Sequence, residues 1–301
     1  MSCRNHYSSD DRGQRTEISF FLSSVLCLLS SALWKRWWNF GFQILLFIII
    51  STSYLHAANN FSSSANPAAI GPIKPPSKTL ALGEHLAYEV FWMGMPIGLG
   101  ELWVKEKVSL NGREAFHVVA VAETNKLLSK IYPVHDEVHS WIDVKTFQSL
   151  QFQKKVSEGH YRADEFVQYD AVKKTGYYQS LKNGTKKEFD ITLPVQDILS
   201  AFYWARRQPL QIGKSFKTIV NSDEKDWSLE INVIRRETKE LRGRDTLDTI
   251  LIEPKTRLKG VLEKRGRVWI YLKNDPSRTP VWITFKTSFG SVVGVIQETS
   301  K

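Results

Sequence analysis

Two histidines four residues apart, with two acids between them, stand in the stretch YPVHDEVHSW: His135, Asp136, Glu137, Val138, His139. The pattern is close to that of the zinc peptidases. There, His-Glu-x-x-His on a helix puts two ligands on one face and lets the Glu polarise a metal-bound water. Here Asp136 stands where the Glu should be, and Pro133 followed by alternating Val134, Asp136 and Val138 points to a strand. On a strand, side chains two apart share a face, so His135, Glu137 and His139 would line up together. Such a row can hold zinc, contact a polar ligand or simply face water, and the strand setting favours water. His135, Glu137 and His139 are therefore the metal candidates. A hydrolase acting on envelope polymer would draw on Asp136, Glu137 and the same two histidines.

Other chemical signatures fail on their neighbours. Gly94 to Gly100, GMPIGLG, is glycine-rich like a phosphate loop, but Leu102-Trp103-Val104 continues as a strand, so no helix N-terminus follows to cradle an anion. A tight hairpin, in which glycine supplies unusual backbone angles, is the better reading. Gly213-Lys214-Ser215 has Gln208 where a Walker loop needs glycine, and no Gly-x-Ser-x-Gly elbow occurs. No cofactor is implied, and no catalytic residue is assigned.

The elements that must position any site begin well into the chain. Two apolar runs, Ile18 to Leu33 and Phe40 to Leu55, flank Trp34-Lys35-Arg36-Trp37-Trp38. Lys35 and Arg36 followed by FQILLFIII read as a secretory signal with cleavage before Ala58. Retained instead, the two runs form a membrane hairpin, although at 16 residues each they are shorter than the roughly 20 of an untilted span. Residues 1–57 are thus a signal peptide or membrane anchor with an N-terminal extension, and the protein is exported or held in the envelope through residues 18–55. Cys3 and Cys27 are the only cysteines, and both lie upstream of that cut, so cysteine chemistry is excluded from the rest. Residues 58–79, rich in Ser, Asn, Gly and Pro, form a flexible linker. Residues 80–301 form a single β-rich domain.

Within that domain the dominant period is two. Leu86, Tyr88, Val90 and Trp92 alternate, as do Trp227, Leu229, Ile231 and Val233, then Val268, Ile270 and Leu272, then Val281, Ile283 and Phe285. Turn signals at Asn111-Gly112, Asn183-Gly184, Asn221-Ser222-Asp223 and Asp275-Pro276-Ser277 separate the runs. One segment breaks the pattern: Pro194 to Arg207 spaces Val195, Ile198, Phe202 and Ala205 as a helix with Asp197 near its start. The expected fold is mainly β: a strongly curved antiparallel meander, or incomplete barrel, with one principal helix packed on it. Aromatics on both faces, Phe91 against Trp92 and Trp269 and Tyr271 against Ile270, are expected to lie under the helix and linker or to line an apolar cavity.

A net charge of +10 does not point to nucleic acid in an exported chain whose basic residues are dispersed. The densest group, Arg257, Lys259, Lys264, Arg265 and Arg267, spans an apparent hairpin that either touches anionic lipid or keeps a solvated edge from aggregating.

The domain resembles an exported bacterial family, domain of unknown function 3108. Gly83-Glu84, Leu86, Tyr88 and Gly98 carry the likeness, as do Tyr132 and Asp136 in a Tyr-x-Val-x-Asp element. It continues through Asp197, Ser200, Tyr203 and Arg206, then Pro209-Leu210, Gly213, Asp275 and Pro280. The resemblance implies no catalytic residue, treats the two histidines as incidental, and suggests a curved sheet similar to the lipoprotein-carrier class. Tyr88, Trp92, Tyr132, Asp136, Tyr203 and Arg206 are the candidate ligand contacts. The expected role is non-enzymatic: binding of a lipid-like ligand, a membrane surface or an envelope partner, with hydrolysis or a purely structural place in an envelope complex as alternatives.

Overall fold

The computed structural model describes residues 79–300, apart from 244–245, 259–260, 263–265 and 288–289. The expected signal or anchor and all of the linker but Thr79 lie outside the described residues.

Eight strands precede the helix: β1 (His85–Trp92), β2 (Met95–Leu110), β3 (Arg113–Thr124), β4 (His135–Asp143), β5 (Ser149–Glu158), β6 (Tyr161–Asp170), β7 (Thr175–Ser180) and β8 (Lys186–Asp190). A short β9 (Val195–Gln196) leads into α1 (Ile198–Arg206). Then come β10 (Ser215–Ser222), β11 (Lys225–Glu240), β12 (Thr246–Leu258), β13 (Val261–Leu262), β14 (Arg267–Lys273), β15 (Pro280–Thr287) and β16 (Gly290–Ser300). All belong to one sheet, ordered β8-β7-β6-β5-β4-β3-β2-β1-β16-β15-β14-β12-β11-β10-β9, with β13 paired to β12. The first strand therefore lies mid-sheet, between β2 and the last strand.

The sheet is open but its two ends approach each other. Lys187 Nζ lies 2.7 Å from Glu224 Oε2, the Thr192 amide donates to Asp226, and Tyr169 Oη donates to Asn221 at 3.4 Å. Side chains, not a strand ladder, bridge the seam, so the barrel is incomplete. Turn chemistry matches local need: Met93-Gly94 and Asn111-Gly112 have positive φ at both positions, as two-residue hairpins require. The expected Asn221-Ser222-Asp223 turn falls instead at Asp223-Glu224, after β10 has ended.

The helix is shorter than its period suggested, running from Ile198 and not from Pro194. Asp197 caps it, accepting from the Leu199 and Ser200 amides, while the Ser200 hydroxyl accepts from the Asp197 amide. Upstream, Val195–Gln196 are held in parallel pairing with β10, so the chain is a strand there. The cap chooses the start, because it satisfies amides that a helix begun earlier would spend on the same turn. Leu199 and Tyr203 pack with Val104, Phe116 and Val138, whereas Ala201 and Ala205 pack with Val220, Ile252 and Leu272. These partners come from opposite halves of the sheet, so α1 fills the concave side and is covered nearly all round. That explains why a single apolar stripe did not describe it.

The outer face of β1, β16, β15 and β14 carries a second core. Tyr271, Trp282 and Val295 stand opposite one another across three strands, as do Phe91 and Val293. Helix α1 is not among the residues that pack on them, and the linker lies outside the described residues. Leu241 and Leu247, flanking the β11–β12 turn, pack in the same cluster as Phe91 and Trp282. Lys239 Nζ lies 3.9 Å from the Trp282 ring centroid, and the Arg242 guanidinium 3.7 Å from that of Phe91. Phe91 is thus buried and Trp92 exposed, the reverse of the expected alternation at the end of β1.

Candidate functional site

One end of the barrel gathers the exposed apolar side chains. Because the strands alternate in direction, the connections after β1, β3, β5 and β7 all open at this end. Trp92, Met93 and Met95 come from the first, Leu127, Ile131 and Tyr132 from the second, Tyr161 follows the third and Leu181 lies in the fourth; all are exposed. Met93, Leu127 and Ile131 are 65%, 73% and 79% exposed, values that core-forming residues do not keep without reason. The loops are tied together by backbone: Asn125 N donates to Ile97 O at 2.9 Å, Gly159 N to Pro133 O at 2.8 Å, and Met93 N to Ser291 O at 3.0 Å. Two glycines let them close. A Cβ on Gly98 would stand 2.1 Å from the Glu123 carbonyl oxygen, and one on Gly159 would stand 2.9 Å from the Tyr132 ring.

Beneath Tyr132 lies a buried acid pair. Asp136 faces inward from β4, and Glu158 ends β5; they are 2% and 3% exposed. Asp136 Oδ1 accepts from the Ser157 amide at 2.9 Å. Burial, with Asp136 beside it, pushes the Glu158 carboxyl up to about 8, and burial also raises Asp136. Two adjacent buried carboxyls hold one proton between them near neutrality, as like charges in close contact require. Next along the inner face, Lys154 pairs with Glu165 at 2.6 Å. Glu158 gave no sequence signal, since its position against Asp136 depends on the β4–β5 register.

The histidines do not meet. His135, Glu137 and His139 do share the outer face, but His135 pairs with Glu123 at 3.5 Å. His139 turns to a partner from another strand: its Nδ1 lies 3.0 Å from His117 Nε2, and its Nε2 lies 3.0 Å from Glu137 Oε1. His117 also lies 3.5 Å from Glu106 and stacks on Trp141 at 4.8 Å. Burial lowers both His117 and His139, so the pair is neutral and one ring donates to the other. His117 was missed because only strand pairing brings it here. Among the described residues, no group of three or more His, Cys, Asp or Glu has the geometry to hold a metal. Asp136 and Glu137 point to opposite faces, so the four groups of the hydrolase reading do not converge on one substrate.

Three candidate contacts are structural neighbours. Arg206, at the end of α1, holds Glu84 through two 2.7 Å hydrogen bonds and also donates to Ser277 O at 2.9 Å. Its guanidinium sits 5.0 Å from the Tyr203 ring centroid, and Tyr88 Oη donates to Pro280 O at 2.8 Å. All are buried. At the other end of α1, Ser140 and Ser149 donate to Asp197 Oδ2 at 2.6 and 2.5 Å.

The seam between the sheet ends leaves a cleft of about 70 Å³, lined by Phe152, Lys154, Glu165, Tyr178, Asn221 and Glu224. Ligand pockets run from roughly 300 to 1,000 Å³, so this cleft suits a few waters better than an acyl chain.

An open, curved and mainly antiparallel sheet wrapped around α1 defines a β-barrel-like protein. The chain belongs to the family described as protein of unknown function DUF3108, whose pattern matches residues 87–297. No curated protein matches it. Among solved structures, it is similar to a β-barrel-like protein of domain of unknown function DUF1849 from Brucella abortus: 9% identity, TM-score 0.46, covering 73% of this chain and 97% of that one. It is also similar to a predicted lipoprotein from Parabacteroides distasonis, with 10% identity, TM-score 0.32 and coverage of 76% and 98%.

Proposed function

We propose that the protein is a non-enzymatic component of the cell envelope that works by docking, and that the apolar end of its barrel is the docking surface. One observation carries this reading: exposed apolar side chains from four alternate connections, those after β1, β3, β5 and β7, collect at one end, while exposed Val172 lies in the β6–β7 turn at the other. The envelope setting is supported by the two N-terminal apolar runs. The small seam cleft favours a surface over an enclosed ligand. Photo-crosslinking in cells tests it, with a photoreactive residue at Leu127 of the full chain and a control at Val172. Crosslinks to envelope material from Leu127 alone are expected. Equal labelling at both positions, or none at Leu127, would remove the reading.

A further inference from the structure

Resting on that docking reading, we infer that the partner of this end is an anionic phospholipid surface. The four connections, residues 93–94, 125–134, 159–160 and 181–185, contain no Asp or Glu, but they carry Lys126, Lys130, His160 and Lys182. Lys126, Lys130 and Lys182 are exposed beside the apolar residues. The nearest exposed acid, Glu123, is engaged by His135, and the paired carboxyls of Asp136 and Glu158 are buried. Among the described residues, Asp223 and Glu224 lie across the seam, where Glu224 holds Lys187.

The arrangement has the parts of an interfacial anchor. Methionine and leucine side chains enter the acyl boundary, Trp92, Tyr132 and Tyr161 suit the headgroup level, and lysines pair with lipid phosphate. The apolar residues stand on separate turn tips around one end, not in a groove. A broad, flat target can engage them together, whereas an inserted peptide cannot. Backbone ties between neighbouring loops hold the tips in place before contact, which lowers the ordering cost of binding.

The test uses the full chain with Cys3→Ser and Cys27→Ser, labelled with a polarity-sensitive fluorophore at Met95→Cys and, in a control, at Val172→Cys. Vesicles of phosphatidylcholine, with or without phosphatidylglycerol, are added. The expected result is a blue shift of the Met95 label with anionic vesicles, little shift with neutral ones and none from the Val172 label. The Lys126→Gln/Lys130→Gln variant should weaken the response about 30-fold, and high salt should suppress it. Equal responses to neutral and anionic vesicles, or from both label positions, would overturn the proposal. A Met95 label that ignores vesicles but is shielded by an envelope protein would overturn the lipid assignment and leave docking standing. A label that responds to neither would overturn both.

Discussion

The Glu84 carboxylate and the Arg206 guanidinium meet through two parallel 2.7 Å hydrogen bonds across 122 residues of chain. The pair joins the segment before β1 to the last turn of α1, and Arg206 adds the Ser277 carbonyl from the β14–β15 loop. Three distant segments are held by one side chain that is 5% exposed.

Removing one partner would strand the other without water. Arg206→Ala should therefore cost about 3–5 kcal/mol. Arg206→Lys, which cannot form the two-pronged contact, should recover only part of the loss. Urea unfolding midpoints of the three proteins check this, and an Arg206→Ala midpoint close to wild type would contradict it.

The acid pair predicts an unusual pH profile. A carboxyl whose folded value is raised to about 8 keeps its proton in the native state while the unfolded chain, near 4.5, has lost it. Between those values the native state binds more protons, so stability falls as pH rises, and the full penalty is present above about 8. Glu158→Gln carries a permanent hydrogen-bond donor toward Asp136. It should flatten this slope and, at pH 9, stabilise the protein by on the order of 1–3 kcal/mol. Melting temperatures from pH 4 to 9 decide the matter.

The His117–His139 contact has the opposite sign. Burial lowers both rings, so the unfolded chain takes up protons near pH 6.5 before the native state does. Stability is complete above that value and is lost as pH falls through the lower folded values. Two imidazole resonances should titrate below 6.5 in NMR. His117→Gln should move the remaining His139 titration upward, because His117 is among the groups that hold it down.

Much of the fold was legible because it rests on local rules. Period-two runs such as Trp227, Leu229, Ile231 and Val233 became strands with those side chains inward, and Asn-Gly turns fell where the backbone needs positive φ. Helix α1 was legible, but not its start, because Asp197 draws on Ser140 and Ser149 from β4 and β5 as well as on its own first turn. The outer core around Trp282 was visible only as surplus aromatics; what covers it, the tip of the β11–β12 hairpin, follows from tertiary packing. Several residues that carry the family likeness, Glu84, Gly98, Asp197, Ser200 and Arg206, do structural work: they pin the helix or clear space for a crossing chain. The histidine spacing was legible as a strand face, yet His117 and Glu158 arrive from neighbouring strands, and no linear pattern announces them.

The pairing of β1 with β16 has a consequence for how the chain is made. Until the final strand, Gly290–Ser300, has been synthesised, β1 has one neighbour missing and so does β15. The growing polypeptide can form two half-sheets, each with a raw hydrogen-bonding edge, and only its last segment zips them together. A chain of this topology stays incomplete until β16 has been made. Loss of β16 would leave β1 and β15 with open edges, an aggregation hazard.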